Sequence, residues 1–246
     1  MWRNDSGLIG KSVVVTGASG GIGKEVAAGF AEAGAHVLAV DLPGSGVEQS
    51  GHQFIETNLA DLSKHEEIFR RAQSIAPLAA LAHCAAVLRR RDSVDEVTEE
   101  DWDLQVDVNL KATFFLNRAA YHSFKSSQTK GSIVNFASQG WWTGGFGGSV
   151  VYAASKGGVV SMTRGLARSF AAEGVRVNVI SPGGVDTTML RDGQDDLAMK
   201  NFISMIPMGR LAAPSEMVGA VIFLASDASS YMTGALLNLS GGQLMY

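Results

Sequence analysis

The chain lacks most of what marks secreted, membrane-bound and nucleic-acid-binding proteins. Of its 246 residues one is cysteine and five are proline. The lone thiol, Cys84, has no partner for an internal disulfide, which fits a reducing compartment and excludes a disulfide-stapled scaffold. Charged residues make up 18%, below the usual quarter, and the net charge of −4 leaves no electrostatic footprint for nucleic acid. The histidines (His36, His52, His65, His83, His122) form no metal-type pair, so no metal site is expected. The longest apolar stretch, 77–88, is broken by His83 and falls far short of the ~20 residues that span a bilayer. Residues 1–11 carry Arg3 and Asp5 without an apolar core and do not read as a signal peptide. The triplet Arg89-Arg90-Arg91 reads as a solvated loop after a strand. These absences describe a soluble, cytoplasmic protein with no membrane segment.

What is abundant is glycine. There are 29 in 246, about 12% against a usual value of about 7%. Without a G-x-y period or much proline, collagen-like and low-complexity readings fail, so the glycines must serve particular positions. The length suits one large α/β domain, 1–246, with no linker or internal repeat.

Short β-branched runs alternate with helical patterns along the whole chain. Strands are predicted at 12–16, 35–41, 53–57, 78–85, 132–137, 176–181 and 236–239. Helices are predicted at 21–33, at 63–76 with Ser63 as N-cap and Glu66 completing a capping box, and from Thr98 (with Asp101 at the same spacing) toward Phe124. Further helices are predicted at 151–172 and from Pro214 to Ala225. The strands are continuously apolar rather than alternating, so helices should cover both sheet faces in a doubly wound parallel sheet, a three-layer αβα arrangement. Two segments break the rhythm. Residues 42–51 are too short and glycine-rich for a crossover helix. Residues 186–213 are long, hold Met189, Met199, Met205 and Met208, and read as a mobile, partly apolar lid.

Thr16-Gly17-Ala18-Ser19-Gly20-Gly21-Ile22-Gly23 follows the first strand and opens a helix. Helix N-terminal N–H groups there suit a phosphate, and glycine permits the tight turn and close approach to a pyrophosphate. Asp41 ends the second strand, 18 residues beyond Gly23. A carboxylate at that place accepts ribose hydroxyls and repels a 2′-phosphate, and no Lys or Arg in the turn or after Asp41 offsets it. NAD(H) is therefore expected over NADP(H). Tyr152 and Lys156 stand at i and i+4, neighbours on one helical face. A phenol with a pKa of about 10 is a poor base, and a nearby ammonium is expected to lower it toward neutrality, where it exchanges protons with an alcohol or carbonyl oxygen.

The glycine turn, Asn109 in Val-Asn-Leu, Ser138, Tyr152-x-x-x-Lys156 and Pro182-Gly183 occur in one order. In this the chain resembles the short-chain dehydrogenase/reductase family over about 10–242. The resemblance implies a Rossmann-type sheet of about seven strands, a nicotinamide cofactor, a homotetramer and a Ser-Tyr-Lys centre. By the same resemblance Tyr152 is the general acid/base, and Lys156 lowers its pKa and holds the nicotinamide ribose. Ser138 bonds the substrate oxygen and Asn109 holds a water of the proton relay. Gly17, Ser19, Gly20, Gly21, Ile22 and Gly23 line the pyrophosphate, with Asp41, Asn58, Leu59, Ala85 and Ala86 toward the adenosine. Pro182, Gly183, Val185 and Thr187 border the nicotinamide. Where the family shows N-N-A-G, this chain has His83-Cys84-Ala85-Ala86, so an amide that braces the sheet is missing at Cys84; His83 reads as a structural strand-end residue.

The segment 139–149 should overhang the reacting atom, with Gln139, Trp141 and Trp142 as substrate contacts beside Ser138 and Tyr152. Adjacent tryptophans in extended chain point opposite ways, so one of the pair is expected to line the pocket. The small-molecule substrate is an alcohol or carbonyl compound: a secondary alcohol or its ketone, with 3-oxoacyl thioesters or sugars and polyols as alternatives. A reading of another class, a non-catalytic NAD(H)-sensing protein, is disfavoured because all four catalytic positions carry the required residue types.

Overall fold

The apolar runs form one parallel seven-stranded sheet in the computed structural model, which describes residues 6–145 and 147–246. The first five residues of the N-terminal reading, and Phe146 of the 139–149 loop, lie outside the described residues. The strands are β1 (Ser12–Thr16), β2 (His36–Asp41), β3 (Gln53–Glu56), β4 (Leu78–His83), β5 (Gly131–Phe136), β6 (Val175–Pro182) and β7 (Leu236–Leu239). They lie in the order β3-β2-β1-β4-β5-β6-β7, every neighbour parallel. The chain winds outward from β1 to β3 and then returns to the other side of β1, so a crevice opens between the carboxyl ends of β1 and β4. Such a switch point is where open α/β sheets hold ligands.

The helices are α1 (Gly21–Glu32), α2 (His65–Ile75), α3 (Glu99–Val106), α4 (Ala112–Ser126), α5 (Gly140–Thr143), α6 (Val150–Phe170), α7 (Thr188–Arg191), α8 (Asp196–Ser204) and α9 (Val218–Ala225). Alternation within Ser12–Thr16 sets the two cores. Val13 and Val15 pack with Phe30 of α1 and Leu224 of α9. Val14 packs on the opposite face with Phe69 of α2, Phe124 of α4 and Phe170 of α6. Each such buried ring contributes about 1.5–3 kcal/mol. No helix among the described residues is long and apolar enough to cross a membrane.

Three local expectations change. Ser63 does not cap α2: Asp61 caps a short turn ahead of it, and α2 itself starts without a side-chain cap. The Asp61 carboxylate accepts from the Ser63 amide at 3.1 Å and the Ser63 hydroxyl at 2.6 Å, and a 3-10 turn, Leu62–Lys64, precedes the helix. Thr98 and Asp101 do form the capping box, each side chain bonding the other's backbone N–H at 3.1 Å. The helix they open is interrupted by a π-turn, Asp107–Lys111, before it continues as α4. The segment 186–213, read as a lid without a period, carries two short helices, α7 and α8. Its base is pinned, the Asp186 amide donating to Ala212 O and the Ala212 amide to Gly184 O, both at 2.9 Å.

Candidate active site

The turn between β1 and α1 is built on backbone contacts that only glycine allows. Gly17 has φ +65°, and a Cβ there would stand 2.8 Å from the backbone of Ala85. A Cβ on Gly23 would stand 2.0 Å from the Gly17 carbonyl oxygen. With neither atom present, the first turn of α1 sits directly over the end of β1, and the loop after β4 closes against it. Asp41 is tied to this turn. One carboxylate oxygen accepts from the Ser19 amide and the other from the Leu42 amide, each at 2.8 Å. The acid is thus fixed in place while each oxygen keeps a second lone pair for a ligand.

A cavity of about 720 Å³ runs from Asp41 past the glycine turn to Tyr152. It is lined by every residue expected to hold the cofactor: Gly17, Ser19, Gly20, Gly21, Ile22, Gly23, Asp41, Asn58, Leu59, Ala85, Ala86, Tyr152, Lys156, Pro182, Gly183, Val185 and Thr187. Ser138 and Gln139 also line it. The observations that test the fit of a dinucleotide are the glycine backbone facing this space and an anchored carboxylate at its far wall, and both match.

Ser138 follows β5, and its hydroxyl bonds the Tyr152 phenol on α6. One turn on, Lys156 is buried, donates from Nζ to the Phe136 carbonyl at 2.9 Å, and lies 5.7 Å from the Tyr152 ring centroid. Burial pushes the Lys156 ammonium down to about 8, so it stays mostly protonated at neutral pH. The expected lowering of the phenol is not what the walls of this site produce. Burial pushes Tyr152 up to about 12, opposed by the bond from Ser138 and the charge of Arg90. The i, i+4 spacing does bring the ammonium over the ring, but desolvation prevails.

Asn109 does not line the cavity. It is fully buried in the π-turn, where its Oδ1 accepts from the Val87 amide at 2.8 Å. Its Nδ2 donates to Val87 O at 2.8 Å and Ser155 Oγ at 3.2 Å. The amide therefore clamps the loop after β4 to α6. His83 performs the bracing that the sequence reading missed at Cys84. Thr113 Oγ1 donates to Asn109 O at 2.7 Å, so it must accept from His83 Nε2, at 2.8 Å. His83 Nδ1 is then the acceptor for Thr16 Oγ1 at 2.7 Å, and Thr16 in turn accepts from the Ala85 amide at 3.3 Å. This neutral tautomer agrees with burial pushing His83 down to about 3.

Trp141 and Trp142 also fall outside the cavity lining. The chain there is a helical turn, not the extended segment assumed, and both indoles gather against Tyr246. Centroids are 5.2 Å apart for Trp141–Tyr246 and 5.8 Å for Trp142–Tyr246. Of the lid methionines only Met189 lines the cavity; Met205 and Met208 are exposed. Leu42, Ser45, Leu104, Val108 and Phe202 line it without having been singled out, since only the fold brings them there. The arginine triplet is not simply solvated. Arg91 forms a two-bond ion pair with Asp101 at 2.8 Å, and Arg90 lines the cavity and donates to the Asp192 carbonyl at the end of α7.

Residues 17–243 match the family described as enoyl-(acyl carrier protein) reductase. The chain is 34% identical to 2-dehydro-3-deoxy-D-gluconate 5-dehydrogenase of Escherichia coli, over 96% of each chain. It is also 34% identical to (3R)-3-hydroxyacyl-CoA dehydrogenase of Canis lupus familiaris, covering 94% of this chain and 95% of the relative. A crystal structure from Agrobacterium tumefaciens, described provisionally as a 2-deoxy-D-gluconate 3-dehydrogenase and holding NADP, superposes with a TM-score of 0.87. That pair is 34% identical over 98% of this chain and 99% of the other.

Proposed function

The chain belongs to the short-chain dehydrogenase/reductase family, nicotinamide-dependent oxidoreductases of alcohol and carbonyl groups, and on that premise we propose that it transfers a hydride between NAD(H) and a secondary alcohol or its ketone. The observation that carries this reading is the meeting of two constellations in one cavity. The glycine turn with Asp41 occupies one part, and the bonded Ser138–Tyr152 pair with buried Lys156 another. A bound nicotinamide would supply or accept the hydride.

The residues then act as follows. Ser138 and Tyr152 present hydroxyls to the substrate oxygen. Tyr152, protonated at neutral pH, donates to a carbonyl oxygen in reduction and receives the proton in oxidation. Lys156 places a cation beside the phenol, favouring the form it takes after giving up its proton. Asn109 acts as a positioning residue rather than a water ligand, holding the loop after β4 against the helix that carries Tyr152 and Lys156. Asp41 selects NAD(H): its carboxylate suits ribose hydroxyls, and among the described residues no cation lines the cavity beside it. The chain acts as one nucleotide-binding domain with the segment 186–213 as its lid. The family resemblance and the single cysteine support a cytoplasmic homotetramer, whose mass light scattering measures.

The test is a screen of the purified protein with NAD⁺ and NADP⁺, following reduced-nicotinamide absorbance. The panel spans secondary alcohols, sugars, sugar acids, hydroxyacyl esters and steroid alcohols, with the ketones run in reverse. Turnover of at least one class with NAD⁺ is expected. NADH binding without turnover of any class would support the sensing reading instead.

A further inference from the structure

The cavity holds one charged group that the redox reading leaves without a task. Among its lining residues only Asp41, Lys156 and Arg90 carry charge. Asp41 is held by two backbone amides, and the Lys156 ammonium is buried against the Phe136 carbonyl. Arg90 is different. It is half-buried on the loop after β4, and its Nη1 donates to the carbonyl of Asp192, where α7 ends. No carboxylate among the described residues pairs with it. By contrast Arg91, Arg191 and Arg210 each have an acidic partner, Asp101, Asp186 and Glu216.

A guanidinium carries five N–H donors in a rigid fork matched to a carboxylate, and its bond to Asp192 uses one. The same cavity is lined by Val87, Leu88, Leu104 and Met189. A guanidinium at the cavity wall with donors to spare and no carboxylate partner among the described residues suits a bidentate anion. Arg90 also stands close enough to Tyr152 for its charge to act on the phenol. An anion on Arg90 and an oxygen at Tyr152 are thus within reach of one molecule.

We propose that Arg90 is the specificity residue of this site and that it binds the carboxylate of a hydroxy- or oxo-acid substrate. This rests on the redox reading above. The carboxylate is held on Arg90 while the hydroxyl-bearing carbon, further along the same chain, meets Ser138 and Tyr152. Because Arg90 also grips the carbonyl at the end of α7, binding of the acid ties the lid to the loop after β4. Discrimination comes from one cation, so a neutral molecule of the same length loses the contact outright.

Two matched pairs test this, each differing only by CH₂OH in place of the carboxylate: D-gluconate with D-glucitol, and 3-hydroxybutanoate with 1,3-butanediol. Steady-state kinetics with NAD⁺ are measured on the wild type, Arg90→Gln and Arg90→Lys, with thermal melts to verify folding. Loss of a charge-assisted bidentate contact is worth about tenfold or more in affinity. The wild type should favour the acid of at least one pair by about tenfold or more in kcat/KM, and Arg90→Gln should collapse that ratio mainly through KM. Arg90→Lys should restore part of the preference, and added guanidinium should partly rescue Arg90→Gln on the acid alone. A wild type indifferent to the carboxylate, or a folded Arg90→Gln that keeps the preference, overturns the proposal. Turnover of secondary alcohols outside both pairs, with none inside them, overturns it too while leaving the redox reading standing. Absence of turnover across the whole alcohol panel is the separate failure of that reading.

Discussion

Replacing Asp41 by Asn should move the coenzyme preference from NAD(H) toward NADP(H), and the size of the shift follows from where the carboxylate is held. Both oxygens are fixed by amides at 2.8 Å, so the charge cannot swing away from a ligand. A 2′-phosphate bound where the ribose hydroxyl would meet this acid lies about 4 Å from it. With an effective dielectric constant of about 20–40 for a half-buried pair, each unit of phosphate charge is repelled by about 2–4 kcal/mol. That corresponds to about 30- to 1,000-fold weaker binding of NADPH than NADH. Asn keeps the shape and still accepts from the Ser19 amide, but removes the charge. The variant should bind NADH about tenfold more weakly, from loss of a charged acceptor, and NADPH more tightly, leaving the two within about tenfold. Calorimetric titration of both coenzymes into both proteins measures it. The wild-type preference should shrink in 1 M salt, where the screening length falls to about 3 Å. Equal affinities in the wild type, or a ratio unmoved by Asp41→Asn, refute the argument.

Acid should destabilise the fold through His83. Its folded pKa of about 3 lies below the ordinary 6.5, so the unfolded chain binds the extra proton, and stability present above 6.5 is lost as pH falls. The loss reaches about 1.4 kcal/mol per pH unit. Urea melts of His83→Asn should show lower stability at pH 7.5 but a shallower decline between pH 6.5 and 4.5; an unchanged slope would defeat the neutral, doubly bonded assignment. Gly23→Ala drives a methyl onto the Gly17 carbonyl oxygen, 2.0 Å away, and should cost about 2 kcal/mol or more together with most NADH affinity. A variant of wild-type stability that binds NADH normally would show that the turn has room the geometry denies.

The sheet was readable because its strands are buried on both faces. Runs such as Val13-Val14-Val15 cannot sit in a solvated hairpin, and glycine and capping residues punctuate them. The lining of the cavity was readable because its residues lie at strand ends in a fixed order. What escaped reading depends on partners distant in sequence. Arg90 meets Asp192 across 102 positions, and Asn109 meets Val87 and Ser155 across 22 and 46. The tryptophan pair was misplaced because nothing local distinguishes one helical turn from extended chain between glycines. The lid helices were missed because four and nine residues are too few to display a period. Ser63 caps nothing because a 3-10 turn capped by Asp61 precedes α2, a local choice that spacing alone does not decide.

The central claim is that Tyr152 exchanges the proton while the glycine turn and Asp41 hold the coenzyme. Its most direct test is Tyr152→Phe, measured for NADH affinity by titration and for turnover on any substrate the wild type accepts. The phenol contributes nothing to the Asp41 end, so NADH affinity should stay within about threefold, while loss of general acid/base catalysis should lower kcat by about 10²–10⁴-fold. A Tyr152→Phe protein that binds NADH and turns over at the wild-type rate would contradict the account.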